Sequence, residues 1–267
     1  MSCASAGDAK PGEPAALVAL QETIYASSNP VRRYLHHQRL GWVRAAIAEC
    51  GARTRGIGTA LEIGPGSGIY VPALLAAHAG VTVTDIEAQH LAHVQSKYGH
   101  EANLRVTADN ITHSALPAAH FDTILCTEVI EHIADTAPVL AALQRLLKPG
   151  GRLILTTPQK YSTLELCCRI AFLPGIIDLV RRIYREPILE TGHINLMTRA
   201  QVAAALDTAG FAVERSAVMG MYVPLLSEFG GHAAARLAQW LEGVLRGGPL
   251  QGLLWTQCVV ARPKAQP

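Results

Sequence analysis

The segment Glu62-Ile63-Gly64-Pro65-Gly66-Ser67-Gly68 constrains this chain more than any other. A strand-like run, Thr59 to Ile63, leads into three glycines at alternate positions, and a helix-compatible stretch follows. Glycine accepts positive φ and carries no Cβ, so the backbone can turn sharply there and let a ligand come close. In an open parallel sheet, ligands sit outside the carboxyl ends of the strands. The next apolar run, Val81-Thr82-Val83-Thr84-Asp85, ends in a carboxylate 17 residues beyond Gly68, where an acid accepts hydrogen bonds from ribose hydroxyls. The spacing departs from the dinucleotide fingerprint G-x-G-x-x-G/A, because Ile69 stands where the last small residue belongs. Glu62, just before the loop, is instead placed to meet an ammonium group.

The rhythm around this loop sets the fold. Short β-rich runs (TALEI, VTVTD, NLRVT, FDTILCT, RLILTT) alternate with helical segments or loops, and FAVERSAVMG and LWTQCVVARP follow late in the chain. Several runs are apolar at successive positions, as a sheet covered on both faces requires. Strand–helix alternation predicts parallel βαβ units. The fold class is therefore α/β: a Rossmann-like, doubly wound, mostly parallel sheet of seven strands with flanking helices. Residues 1–14 are small, polar and broken by Pro and Gly, which predicts a disordered tail. A single domain is expected over 15–267, with an N-terminal helical cover over 15–55 in which Ser27-Ser28-Asn29-Pro30 marks a helix start.

Charge and cysteine usage exclude several classes. Lys+Arg 23 against Asp+Glu 21 leaves a formal charge of +2 and no basic run, which argues against a dedicated nucleic-acid binder. The six cysteines show no CxxC pair and no signal peptide is visible, so reduced thiols in a cytoplasmic protein are expected. No uncharged apolar stretch reaches the length of about 18 residues that a membrane-spanning helix needs.

Five elements in order carry a resemblance. Glu62-x-Gly64-x-Gly66-x-Gly68, Asp85, Ala108-Asp109-Asn110, FDTILCTEVIEHI and LLKPGGRLILTTP resemble the motifs of class I S-adenosylmethionine-dependent methyltransferases, of the type 11/12, ubiquinone-biosynthesis-like group. The match covers about residues 59 to 158. It implies S-adenosyl-L-methionine as methyl donor and S-adenosyl-L-homocysteine as product. It also implies roles: Glu62 near the methionine ammonium group, with Gly64, Gly66 and Gly68 backing the methionine portion. Asp85 takes the ribose hydroxyls, Ile86 packs on adenine, and Asp109 with Asn110 lies at the adenine amino group. Thr127 or Glu128 stands at the sulfonium end.

Glu128-Val129-Ile130-Glu131-His132 follows the fourth strand. Read as helix, it places residues 128, 131 and 132 on one face at i, i+3 and i+4. Downstream lies His193, ahead of Thr198, which suits a helix N-cap. Three readings stand side by side. The cluster is a pocket wall; or His132 or His193 is a general base; or two carboxylates and two imidazoles hold a divalent metal. The last also resembles metal-using RNA 2′-O-methyltransferases and ubiquinone-pathway O-methyltransferases. Methyl transfer needs alignment and exclusion of water more than a protein nucleophile, so Cys126 reads as core.

Residues 159–197 are far longer than a simple αβ connection. Ile176, Leu179, Val180 and Ile183 fall at i, i+3, i+4 and i+7, predicting a helical lid insertion that chooses the acceptor. The segment from Tyr161 to Pro187 has a net charge of only +1, and aromatic content is a low 5%. A small, hydrophobic or lipid-like acceptor is therefore expected, with peripheral membrane contact through the lid as a further option. The alternatives are an RNA 2′-O-methyltransferase-like enzyme, which predicts a basic groove, and a non-catalytic cofactor-binding scaffold.

Overall fold

The computed structural model describes residues 25–184 and 192–264. The expected tail at 1–14, the first part of the helical cover and residues 185–191 of the insertion lie outside the described residues.

Helix α1 (Pro30–Arg53) starts where proline and asparagine dictate. The Asn29 side chain accepts from the Val31 and Arg32 N–H groups, and Pro30 occupies the first turn, where no N–H is needed. Strands β1 (Thr59–Ile63), β2 (Gly80–Asp85), β3 (Leu104–Ala108), β4 (Phe121–Thr127) and β5 (Leu147–Pro158) alternate with helices α2 (Val71–Ala77), α3 (Ala88–Tyr98) and α4 (Ala137–Leu146). The insertion follows as α5 (Thr163–Ala171) and α6 (Ile176–Tyr184). Then come α7 (Arg199–Thr208), β6 (Phe211–Met219), the short α8 (Leu226–Phe229), α9 (Gly231–Leu245) and β7 (Thr256–Pro263).

The seven strands form one sheet in the order β3-β2-β1-β4-β5-β7-β6. The first five are parallel, and β7 runs antiparallel to both β5 and β6. The chain winds outward from β1 to β3 and then restarts at β4 on the other side of β1. The strand order thus reverses between β1 and β4, which opens a crevice at their carboxyl ends.

Both faces of the sheet are covered, as the continuous apolar runs require. Leu61, Ile124, Leu153 and Leu155 pack against α4 and α7, while Ala60, Val83, Leu125 and Ile154 pack against α1 and α2. Each fully buried leucine or isoleucine contributes roughly 1.5–3 kcal/mol. Glu62 shares its face with Ala60 by strand alternation and so lies inside this second layer. A third cluster joins the start of α1 to α9 around Leu35, Ala238 and Trp255.

The insertion is helical, and α6 packs chiefly against α5, with Leu179 57% exposed. No described helix is long and apolar enough to cross a membrane.

Candidate functional site

The glycine loop leaves β1 on the backbone that its sequence demands. Gly64 has φ +66°, and its N–H donates to the Thr84 carbonyl at 2.9 Å. A Cβ at this position would lie 2.6 Å from Val129 Cγ2, so any side chain would force Val129 to move. Gly68, at φ +71°, packs under Tyr98, and α2 begins three residues later.

Beneath the loop stands Glu62, with 0% exposure and neither carboxylate oxygen paired among the described residues. Burial pushes its pKa up to about 8. Along the glycine loop a cavity of about 130 Å³ is lined by Gly64, Gly66, Thr127 and Glu128 from the strand ends and by Tyr25, His36 and Arg39 from the N-terminal side.

Arg39 closes this cavity. Its Nη1 lies 2.5 Å from Glu128 Oε2, and its guanidinium sits 4.8 Å over the Trp255 ring. Among the described residues, Arg39 Nε and His36 Nδ1 are buried without a partner. Burial, and then the neighbouring Arg39 charge, hold the His36 imidazole well below its ordinary pKa, so the ring is neutral at physiological pH. Sequence reasoning missed both residues. The signal was present: Val31, Leu35, Arg39 and Val43 recur every four residues on the buried face of α1, and one of the four is an arginine.

A second group gathers at the ends of β2 and β3. Asp85 accepts from the Glu87 N–H at 2.9 Å and pairs with His90 Nδ1 at 2.9 Å. The Asp85 hydrogen bond outweighs burial and raises the His90 pKa. Ile86, 69% exposed, presents its side chain to solvent beside them. Asp109 accepts from the Ala115 N–H at 3.1 Å through Oδ1, while its Oδ2 is buried and unpaired. Asn110 caps the following turn by accepting from Thr112 N at 3.0 Å and Thr112 Oγ1 at 2.7 Å.

The E-x-x-E-H segment is not the helix that its spacing suggested. Glu128 has φ +55°, and only Ile130–His132 makes a single 3₁₀ turn. Glu128 thereby pairs with Arg39 and accepts from Thr156 Oγ1 at 2.9 Å. Glu131 is fully buried; its Oε2 accepts from Thr157 at 2.9 Å, and its Oε1 has no partner. Burial, then the Glu128 charge, hold its carboxyl well above the usual range.

His132 and His193 do come together, with ring centroids 5.2 Å apart. Glu131, His132 and His193 offer ligand atoms all within 4.8 Å of one another. Each imidazole is tied at Nδ1, His132 to the Gly192 carbonyl at 3.2 Å and His193 to Glu165 at 3.2 Å, which leaves both Nε2 atoms for other partners. On the insertion side of this pair a second cavity, of about 340 Å³, is lined by Glu165, Cys168, Phe172, Ile194 and Leu196. Cys126 lies fully buried in the core, and burial pushes its thiol pKa up.

Comparison with known proteins adds a family. A sequence-family model described as a methyltransferase domain matches residues 34–216. The ubiquinone biosynthesis O-methyltransferase of Xylella fastidiosa (strain 9a5c) is 35% identical over 184 residues, which span 67% of this chain and 69% of that protein. A probable S-adenosylmethionine-dependent methyltransferase of Mycolicibacterium smegmatis is 29% identical over 154 residues, 58% of this chain and 52% of that protein. The chain spans about half the length of several curated relatives that it matches. Among solved structures, a putative sarcosine dimethylglycine methyltransferase from Galdieria sulphuraria has the same fold, with a TM-score of 0.60 at 12% identity, over 93% of this chain and 98% of that one.

Proposed function

Because this chain belongs to the methyltransferase-domain family, we propose that it moves a methyl group from S-adenosyl-L-methionine to an oxygen or nitrogen of a small, hydrophobic or lipid-like acceptor. The observation that carries this reading is Glu62. A fully buried carboxyl group with both oxygens unpaired is costly unless a ligand completes it. An ammonium group at the glycine loop does so, and the donor's methionine portion carries one.

The remaining groups then divide the ligand. Arg39 Nε and His36 Nδ1 are unsatisfied in the same cavity and suit a carboxylate beside that ammonium. Gly64, Gly66 and Gly68 let the backbone approach. Asp85 accepts from ribose hydroxyls while His90 fixes its orientation. Ile86 gains a cover for its exposed side chain against adenine, and Asp109 Oδ2 accepts from the adenine amino group. Asn110 shapes the turn beside that contact, and Thr127 and Glu128 wall the sulfonium end.

The donor supplies an activated methyl, so the protein has to align the acceptor and exclude water. The carbon–sulfur bond breaks with its electron pair on sulfur, giving S-adenosyl-L-homocysteine. The acceptor's lone pair forms the new bond, and its proton passes to a base. His132 and His193 stand beside the insertion's half-apolar cavity and are the candidates for that base.

A second reading of the same pair is favoured by one observation. With both Nδ1 atoms held by oxygen acceptors and Glu131 Oε1 unpaired, the cluster has the hydrogen-bonding of a divalent-metal site. Activity that survives exhaustive chelation removes this reading and leaves the base.

Radiolabel transfer from methyl-labelled S-adenosylmethionine into a fractionated cell extract tests the whole proposal. Label in hydrophobic small molecules supports it. Label in RNA favours an RNA methyltransferase, and label in no fraction favours a non-catalytic binding protein.

A further inference from the structure

Residues 225–250 leave more bulky apolar surface in solvent than any comparable stretch of the described chain. Seven of the fifteen exposed large hydrophobic side chains fall here. On α9 one face packs inward through Ala234, Ala235 and Ala238. The opposite face carries Leu237, Trp240 and Val244 at i, i+3 and i+7, where a surface helix ordinarily carries polar groups. Trp240 is 62% exposed and Val244 61% exposed. Just before α9, the short helix α8 adds Phe229 at 63% exposure.

The charges of this stretch are sorted by sign. Its two acids are both withdrawn. Glu228 pairs with Arg32 at 2.7 Å, and Glu242 accepts from the Gly220 N–H at 2.9 Å and also holds Tyr34 and Arg246. Arg236 and Arg246 remain exposed, Arg246 while paired with the buried Glu242, and Arg236 stands one turn before Trp240. The solvent-facing charge is therefore positive throughout, beside an apolar stripe centred on a tryptophan. Basic groups flanking an apolar helix face, with an indole between, match the headgroup region of an anionic bilayer.

We infer that the α8–α9 face rests on a membrane surface bearing anionic phospholipids, lying in the interface without spanning it. This relocates membrane contact from the inserted helices, where the sequence suggested it, to the segment before β7. It does not depend on the methyl-donor reading.

Flotation of the full chain with lipid vesicles tests it. The protein is expected to float with vesicles of equal parts phosphatidylglycerol and phosphatidylcholine, and about tenfold less with phosphatidylcholine alone. Trp240→Ser with Val244→Ser abolishes flotation, and Arg236→Glu lowers it about tenfold on the anionic vesicles. Unchanged binding of S-adenosyl-L-homocysteine in these variants shows that the fold and the donor site stand. In the unaltered protein, brominated lipid is expected to quench tryptophan emission, and Trp240→Phe removes that quenching. The inference is overturned by an absence of flotation on anionic vesicles, or by flotation that ignores the Trp240 and Val244 changes. It is equally overturned if those changes turn a dimer into a monomer while vesicle binding stays the same.

Discussion

Glu62 shows how a single residue can work against the stability of the fold that holds it. Its carboxyl ionises near 4.5 in an ordinary setting and near 8 in the folded protein, because burial penalises the charge. As pH rises through that window the unfolded chain ionises while the folded one stays neutral, so stability falls. The loss reaches roughly 3 kcal/mol by neutral pH at most. Glu62→Gln is free of this penalty. Less the cost of an unpaired buried amide, it is expected to raise stability by about 1–2 kcal/mol at pH 7.5 and to bring no gain at pH 4, measured by urea unfolding. The same variant is expected to bind S-adenosyl-L-homocysteine more weakly. In the unaltered protein the proposed contact with the ligand's ammonium is expected to ionise Glu62, so binding near pH 7 is expected to release a proton. Calorimetry in buffers of different ionisation enthalpy reads that proton, and Glu62→Gln removes the release. Identical proton counts in the two proteins contradict the assignment of Glu62 to the ammonium.

At the scale of elements, the loop after β1 and the turn after β4 interlock. Val129 fills the space that a side chain at Gly64 would need, with 2.6 Å between Cγ2 and the position of that Cβ. Gly64→Ala therefore meets both a clash and a positive φ, and is expected to cost about 1–3 kcal/mol by thermal unfolding. Helix α7 depends on its cap: Thr198 accepts from Gln201 N while Gln201 returns a bond to the cap N–H. Thr198→Ala is expected to cost about 1 kcal/mol in the same measurement.

The strands and this cap were legible in the sequence because their signals are local. A sheet covered on both faces writes continuous apolar runs, and a threonine ahead of a helical stretch marks an N-cap; the return bond from Gln201 appears only in the structure. The E-x-x-E-H turn was misread for a physical reason. Its periodicity suits a helix, yet Glu128 adopts a left-handed backbone to reach Arg39, and that partner lies 89 residues earlier in the chain. His36 closing on the glycine loop and Glu165 holding His193 are likewise tertiary contacts with no local trace. The candidate donor residues on the strand ends could be read directly, whereas those supplied by α1 and by the insertion needed the fold.

Across the whole molecule, the strand order reverses between β1 and β4, at whose carboxyl ends the glycine loop and Glu128 lie. Arg39 and His36 line the cavity at the glycine loop that Glu62 precedes, Asp85 and Asp109 lie at the ends of the neighbouring strands, and His193 lines the cavity beside the insertion. The near-neutral charge conceals an uneven surface. Acids are drawn inward beside α8 and α9 while arginines stay outside, so the net +2 says less about partners than its distribution does. Donor binding is the claim on which the other assignments rest, and Asp85 tests it most directly. Among the described residues its side chain bonds to His90 and a local N–H, so Asp85→Ala is expected to leave the core intact. Calorimetric titration with S-adenosyl-L-homocysteine is expected to show affinity at least about a hundredfold weaker in Asp85→Ala, with the circular dichroism and melting of the variant close to those of the parent. Unchanged affinity in a folded Asp85→Ala protein contradicts the account.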